Sequence, residues 1–264
     1  MLYPLIAGFG LSLTDWDGFN PGRAFVGLKN YVTLFLDVNF RVILVNTLVY
    51  GIGSTVLQQV LGLALAMTLN QRFRGTNLIR AIVYLPALVS AAVMGTMYYF
   101  VFQYDQGALN TMLQWLGVSK QAWFQNQYLA IAIVVVVNSV QFVGVSMIIY
   151  LAGLQTIDKS VMEAASIDGA SGWKLFRNVT LPLLRPAFTT SVVINLIGGL
   201  KLYDVIQVLT GGGPGYSTNS MSTYIGVVYF DNQSAGYASA IGVVLFVFIA
   251  VITVVVNALL DRWK

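Results

Sequence analysis

The sequence contains no cysteine and no histidine. The two absences exclude disulfides, thiolate nucleophiles, Cys/His zinc sites and imidazole acid–base chemistry. Charge is scarce as well: 14 basic and 10 acidic residues in 264, or 9% charged, where a soluble domain carries about a quarter. What fills the space is apolar, with 57% hydrophobic residues and a mean hydropathy of +0.76. A chain this poor in charge cannot cover itself with a water-compatible surface, and a lipid-facing surface removes the conflict. The net charge of +4 is not gathered into a basic patch. The cations fall between apolar runs, which argues against nucleic acid and for loops that set membrane orientation.

A helix crosses the hydrocarbon core with about 20 mainly apolar residues. Five segments meet that requirement: 42–69, 78–102 with Pro86 near its start, 129–154, 187–209, and 236–260, the most apolar. Residues 1–13 are apolar but too short to cross. They have neither the basic flank nor the cleavage site of a signal peptide. They read as the outer half of a first transmembrane helix whose beginning is missing, or as an unusually short helix. The expected fold class is all-α: a polytopic membrane helical bundle of six transmembrane helices, the first apparently truncated, forming one domain over 1–264.

Charge bias then orients the bundle. Arg72, Arg74, Arg80, Lys159, Lys174, Arg177, Arg185, Arg262 and Lys264 fall on one side if the spans alternate. Arg23, Lys29, Arg41 and Lys120 fall on the other. The richer side is expected to be cytoplasmic, with the C-terminus inside.

The loop 155–186, QTIDKSVMEAASIDGASGWKLFRNVTLPLLRP, is too polar to span. Ile157, Val161, Ala164 and Ala165 nevertheless recur at helical spacing. Asp158 is placed to cap that helix, Gly169 to stop it, and a further turn from Ser171 sets Trp173 and Phe176 on one side. One reading is a connecting loop with a lipid-surface helix. Such helices carry large apolar residues, whereas an Ala-Ala pair suits a helix lodged in a partner's groove. Glu163-Ala164-Ala165, then Asp168-Gly169-Ala170, then Val179-x-Leu181-Pro182 resemble the EAA loop of binding-protein-dependent ABC importer permeases. That pattern is EAA, three residues, Gly, nine residues, Ile-x-Leu-Pro, and only Val179 departs from it.

The resemblance implies a MetI-like permease core in the bacterial cytoplasmic (inner) membrane. It makes 155–186 a cytoplasmic coupling loop whose helix docks in a separate ATPase, Glu163 facing a basic residue there and Gly169 making the turn. The implied partners are a second permease subunit, giving a heterodimer, two ATPase subunits that carry the ATP and Mg, and an extracytoplasmic solute-binding protein. The chain itself would hold no cofactor and no metal.

Further segments resemble the maltose-type carbohydrate branch: Ser12-Leu13-Thr14, Phe25 through Tyr31, Asn46-Thr47-Leu48, Gly62 through Ala66, Tyr84-Leu85-Pro86, and Tyr203-Asp204 followed by Leu209-Thr210-Gly211-Gly212-Gly213-Pro214, Ser217-Thr218 and Gly236-Tyr237-Ala238. Tyr203 stands where Phe is usual. Gly211 to Pro214 is no phosphate loop, because no Lys-Ser/Thr follows and the segment is on the outer side. It reads as a tight or re-entrant turn that reaches toward the solute-binding protein. Lys201 and Asp204, three apart, can pair on one helix face; near the outer end of their span, a structural pair and snorkelling to the interface are the two readings.

A polar solute needs hydrogen-bonding groups along its path. The amides within spans, Gln58, Gln59, Asn138, Gln141 and Asn195, are the candidates, with interhelical hydrogen bonding as the competing role for each. The function implied is the translocation subunit of an ATP-driven sugar importer, with glycerol phosphate or another polar solute as the alternative cargo. An ion-coupled secondary transporter would show inverted repeats or acidic residues deep in the membrane. A membrane enzyme would need a nucleophile or metal constellation. The sequence offers none of these.

Overall fold

The computed structural model describes residues 2–71 and 73–261, so three of the orienting cations, Arg72, Arg262 and Lys264, lie outside the described residues. The described residues are helical and form no strand; one isolated bridge pairs Thr14 with Phe25. The helices are α1 (Leu2–Ser12), α2 (Lys29–Leu36), α3 (Val38–Leu69), α4 (Thr76–Leu88), α5 (Ala91–Phe102), α6 (Ala108–Trp115) and α7 (Gln127–Gln155). They continue with α8 (Lys159–Ile167), α9 (Gly172–Leu175), α10 (Leu181–Leu183), α11 (Arg185–Leu200), α12 (Asp204–Leu209), α13 (Met221–Gly226) and α14 (Ala235–Asp261). A π-helical turn, Phe176–Thr180, joins α9 to α10, and another, Val227–Asp231, follows α13.

The long helices start where a short polar side chain can take an orphan N–H. Asp37 accepts from the Asn39 amide to open α3, and Asn126 accepts from Tyr128 and Leu129 to open α7. Helix α7 is the axis of the molecule and packs against α3, α4, α5, α11 and α12. Between apolar helices in lipid, packing rests on close contact of small residues rather than on hydrophobic drive. Gly62 of α3 faces Ser146 and Met147 of α7, Gly144 of α7 faces the backbone of Val83 and Tyr84, and Gly199 of α11 faces the backbone of Tyr50 and Gly51. Around these seams, Tyr50 packs with Val134, Val137 and Ile206, while Tyr150 packs with Leu69, Met147 and Leu184.

Three helices are long and apolar enough to cross a membrane: Val38–Leu69, Gln127–Gln155 and Ala235–Leu260. Two further candidates qualify only as bent pairs, Thr76–Leu88 with Ala91–Phe102 at 99°, and Gly172–Leu183 with Arg185–Leu200 at 70°. Tyr3–Ser12 is a short apolar helix. Segments 78–102 and 187–209 are thus interrupted rather than continuous helices. Segment 78–102 is broken because Ser90 is extended and caps a new helix through Val93, one turn beyond Pro86. Segment 187–209 is broken because Lys201 ends α11 and the Leu202 carbonyl is taken by the Ser220 hydroxyl at 2.7 Å. Lys201 and Asp204 therefore do not share a helix face. The first caps the end of α11, the second opens α12, and both are exposed.

Candidate functional site

At one end of the molecule, helix α8 leaves α7 and returns through α9 and α10. Asp158 caps it, accepting from the Ser160 amide at 2.9 Å, and that bond holds the carboxyl below its ordinary pKa. At the other end the Gly169 amide donates to the Ser166 carbonyl and the Ala170 amide to the Ala165 carbonyl, at 3.1 and 2.9 Å. This paired closure needs a left-handed residue, and Gly169 has φ +84°. Between the two stops, α8 buries none of its residues. Glu163, Ala164, Asp168 and Gly169 are exposed, Ala165, Ala170, Leu181 and Pro182 are half-buried, and Ile167 is 87% exposed. Trp173 is exposed too, its ring 5.2 Å from that of Phe176. The result is a doubly capped helix whose Val161 and Ile167 are left exposed by its own chain.

At the opposite end, motif segments that are far apart in sequence come together. Thr14 pairs with Phe25, and the Asn30 amide donates to the Ser12 and Thr14 carbonyls at 2.8 and 2.9 Å. The Gly236 amide donates to the Trp16 carbonyl at 2.8 Å. Gly211 and Gly212 adopt φ +58° and +83°, forming the expected turn after α12. The chain beyond that turn runs inside the protein: Thr218, Asn219 and Ser220 are buried. It is clamped to α3, where the Asn46 amide donates to the Ser217 and Asn219 carbonyls at 2.7 and 3.1 Å, the Tyr50 hydroxyl to the Thr218 carbonyl at 2.8 Å, and Thr47 accepts from the Met221 amide. Sequence reasoning singled out Asn46 and Ser217 separately and missed Tyr50 and Ser220. Two signals were available: Tyr50 lies one turn beyond Asn46, and Ser220 with Thr223 forms a capping box.

The intramembrane amides all lie at seams with α7. Gln58 donates to the Asn138 carbonyl at 3.2 Å, Gln141 to the Val89 carbonyl at 3.1 Å in the break between α4 and α5, and Asn195 to Ser146 at 2.7 Å. Gln59 accepts from the Tyr150 hydroxyl. Gln58, Gln59, Gln141 and Asn195 thus serve as interhelical ties, whereas Asn138 takes part through its backbone carbonyl. Gln58 and Gln141 retain a buried carbonyl oxygen without a partner, and Gln59 a buried amide nitrogen. A buried amide with an empty half can take another ligand without losing its first bond.

A bundle closed by seams of small residues, with an uncovered capped helix on one loop, matches a known family. Residues 58–264 fit the model of the binding-protein-dependent transport system inner membrane component. The chain belongs to that family. The permease is 35% identical over 257 residues to the probable starch degradation products transport system permease protein AmyD of Thermoanaerobacterium thermosulfurigenes, covering 97% of this chain and 86% of that one. It is 34% identical to the trehalose/maltose transport system permease protein MalF of Thermococcus litoralis, with the same two coverages. Its structure superposes with a TM-score of 0.85 and 25% identity on a bacterial ABC transporter involved in the import of the acidic polysaccharide alginate, covering 99% of this chain and 90% of that one. The permease is thus a multi-pass membrane protein of a binding-protein-dependent ABC system.

Proposed function

We propose that this chain is one of two membrane-spanning subunits, different from one another, of an ATP-driven importer for a mono- or oligosaccharide. The sugar class is supported by what its relatives carry: starch products, trehalose and maltose, and, at 33% identity, arabinooligosaccharides. The observation that carries the machine is α8, capped at both ends, burying nothing and presenting Ile167 to a partner. It docks in an ATPase on the cytoplasmic side, with Glu163 toward a basic residue there. ATP and Mg are held by that ATPase, and this chain makes and breaks no covalent bond. The charge bias supports a cytoplasmic C-terminus.

The mechanism is alternating access. ATPase closure displaces α8, and because only Thr156, Ile157 and the capping Asp158 separate α8 from α7, the displacement is passed to α7 and to the helices packed on that axis. Asn138, Gln141, Asn195 and Gln58 line the route of the solute, Gln141 and Gln58 with acceptor capacity to spare. The turn Gly211 to Pro214 meets the solute-binding protein. Because the chain has no native cysteine, Ile167→Cys gives a single thiol on α8. It should cross-link to the co-expressed ATPase. Labelling of that thiol from outside the cell by an impermeant maleimide would reject the orientation and the docking together.

A further inference from the structure

Beside α8 lies a cleft of about 1080 Å³ that the transport reading does not use. Its walls come from the α3–α4 connection and from the α7–α8 connection, and include Arg74, Arg80 and Lys159. Among the described residues no carboxylate lines it; Asp158, next to Lys159, is engaged in capping Ser160. The Arg80 guanidinium is anchored to the Leu69 carbonyl at 2.6 Å, yet its Nε is buried without a partner. The start of α4 also faces the cleft through Thr76, Asn77 and Leu78, and its N-cap is Gly75, which supplies no side-chain acceptor. Three cations in one concavity, beside a helix start whose Asn77 and Leu78 line it, have the chemistry to attract an anion.

The level of the cleft narrows the ligand. Helix α3 has 32 residues, about 48 Å at 1.5 Å per residue, against a hydrocarbon core of about 30 Å. Its ends therefore reach the headgroup layers, and the cleft sits at its C-terminal end. A basic pocket between spans at that depth has the chemistry to hold a phosphate. We propose that the cleft binds a phosphate-bearing anion, a phospholipid headgroup or free phosphate, against Arg74, Arg80 and Lys159. Because Lys159 is the first residue of α8, occupancy would tie the mobile element to the bilayer surface. The inference rests on the proposed function only in assigning the cleft to the cytoplasmic leaflet, and its test reads binding rather than transport.

Native mass spectrometry of the full chain, in phosphatidylcholine micelles titrated with phosphatidylglycerol, measures retention. R74Q/K159Q should weaken retention by roughly 30-fold, from two lost cation contacts. R23Q/K29Q, which removes two charges at the opposite end, should leave it unchanged. A second arm measures thermal unfolding in phosphatidylcholine alone with added inorganic phosphate; stabilisation that is lost in R74Q/K159Q supports free phosphate as the source. Equal phosphatidylglycerol retention and equal response to phosphate in wild type and R74Q/K159Q would overturn the site. Should the double variant not fold, R74Q alone, at an exposed side chain, is expected to lose about 5-fold. Intact binding with failed cross-linking at Ile167 would count against the docking and not against the cleft.

Discussion

At the scale of residues, the clamp on the 217–221 segment is the clearest case of polar side chains deciding a path. A buried carbonyl left without a donor is costly, so Tyr50→Phe should lower stability by about 1 kcal/mol, and Asn46→Ala by more because two carbonyls lose their donor. Thermal unfolding in detergent checks both; no change in either would mean the segment is held by packing alone. Asp158 offers a finer test. Asn is an equal cap and Ala is not, so Asp158→Asn should keep coupled ATP hydrolysis and Asp158→Ala should reduce it. The pH sign follows from its depressed pKa. The capping contribution is complete above the ordinary carboxylate value of 3.8 and is lost only as pH falls through the lower folded value. Circular dichroism of the wild type should therefore register no fraying of α8 between neutrality and pH 5.

At the scale of elements, two glycines carry different burdens. Gly169 is needed for its conformation: φ +84° is closed to proline, and its amide is used in the helix stop. Gly169→Pro should abolish ATP-driven uptake while membrane insertion persists. Surviving uptake would contradict the docking assignment. Gly144 is needed for its size, since a Cβ there would meet the Val83 carbonyl and the Tyr84 backbone. Backbone cannot swing aside as a side chain can, so Gly144→Ala should force α4 from α7 and cost roughly 1–3 kcal/mol. A melting temperature equal to wild type would show that α4 can slide without loss.

At the scale of the whole molecule, α14 is the most apolar span and only 6% of its apolar window is buried within the chain. Its outward face needs lipid or another protein to cover it, while α1, α2, α11 and α13 pack against the remainder. The charge bias predicts that a fluorescent protein fused after α14 fluoresces and that alkaline phosphatase fused there is inactive. The reverse pattern would invert the assigned topology.

Composition and local spacing were enough to establish a membrane bundle, its apolar segments and the doubly capped helix between Asp158 and Gly169. The reason is that lipid burial, capping and the left-handed helix stop act over a few residues and leave their marks in neighbouring positions. The 99° bend after Leu88 and the separation of Lys201 from Asp204 were settled elsewhere. The second arises because Ser220, distant in sequence, takes the Leu202 carbonyl and ends the helix. The amides in the spans show the same division. Their polarity marked Gln58, Gln141 and Asn195 as special, but only packing against α7 determined which partner each one found, because a hydrogen bond between helices depends on which faces meet and not on the residue alone.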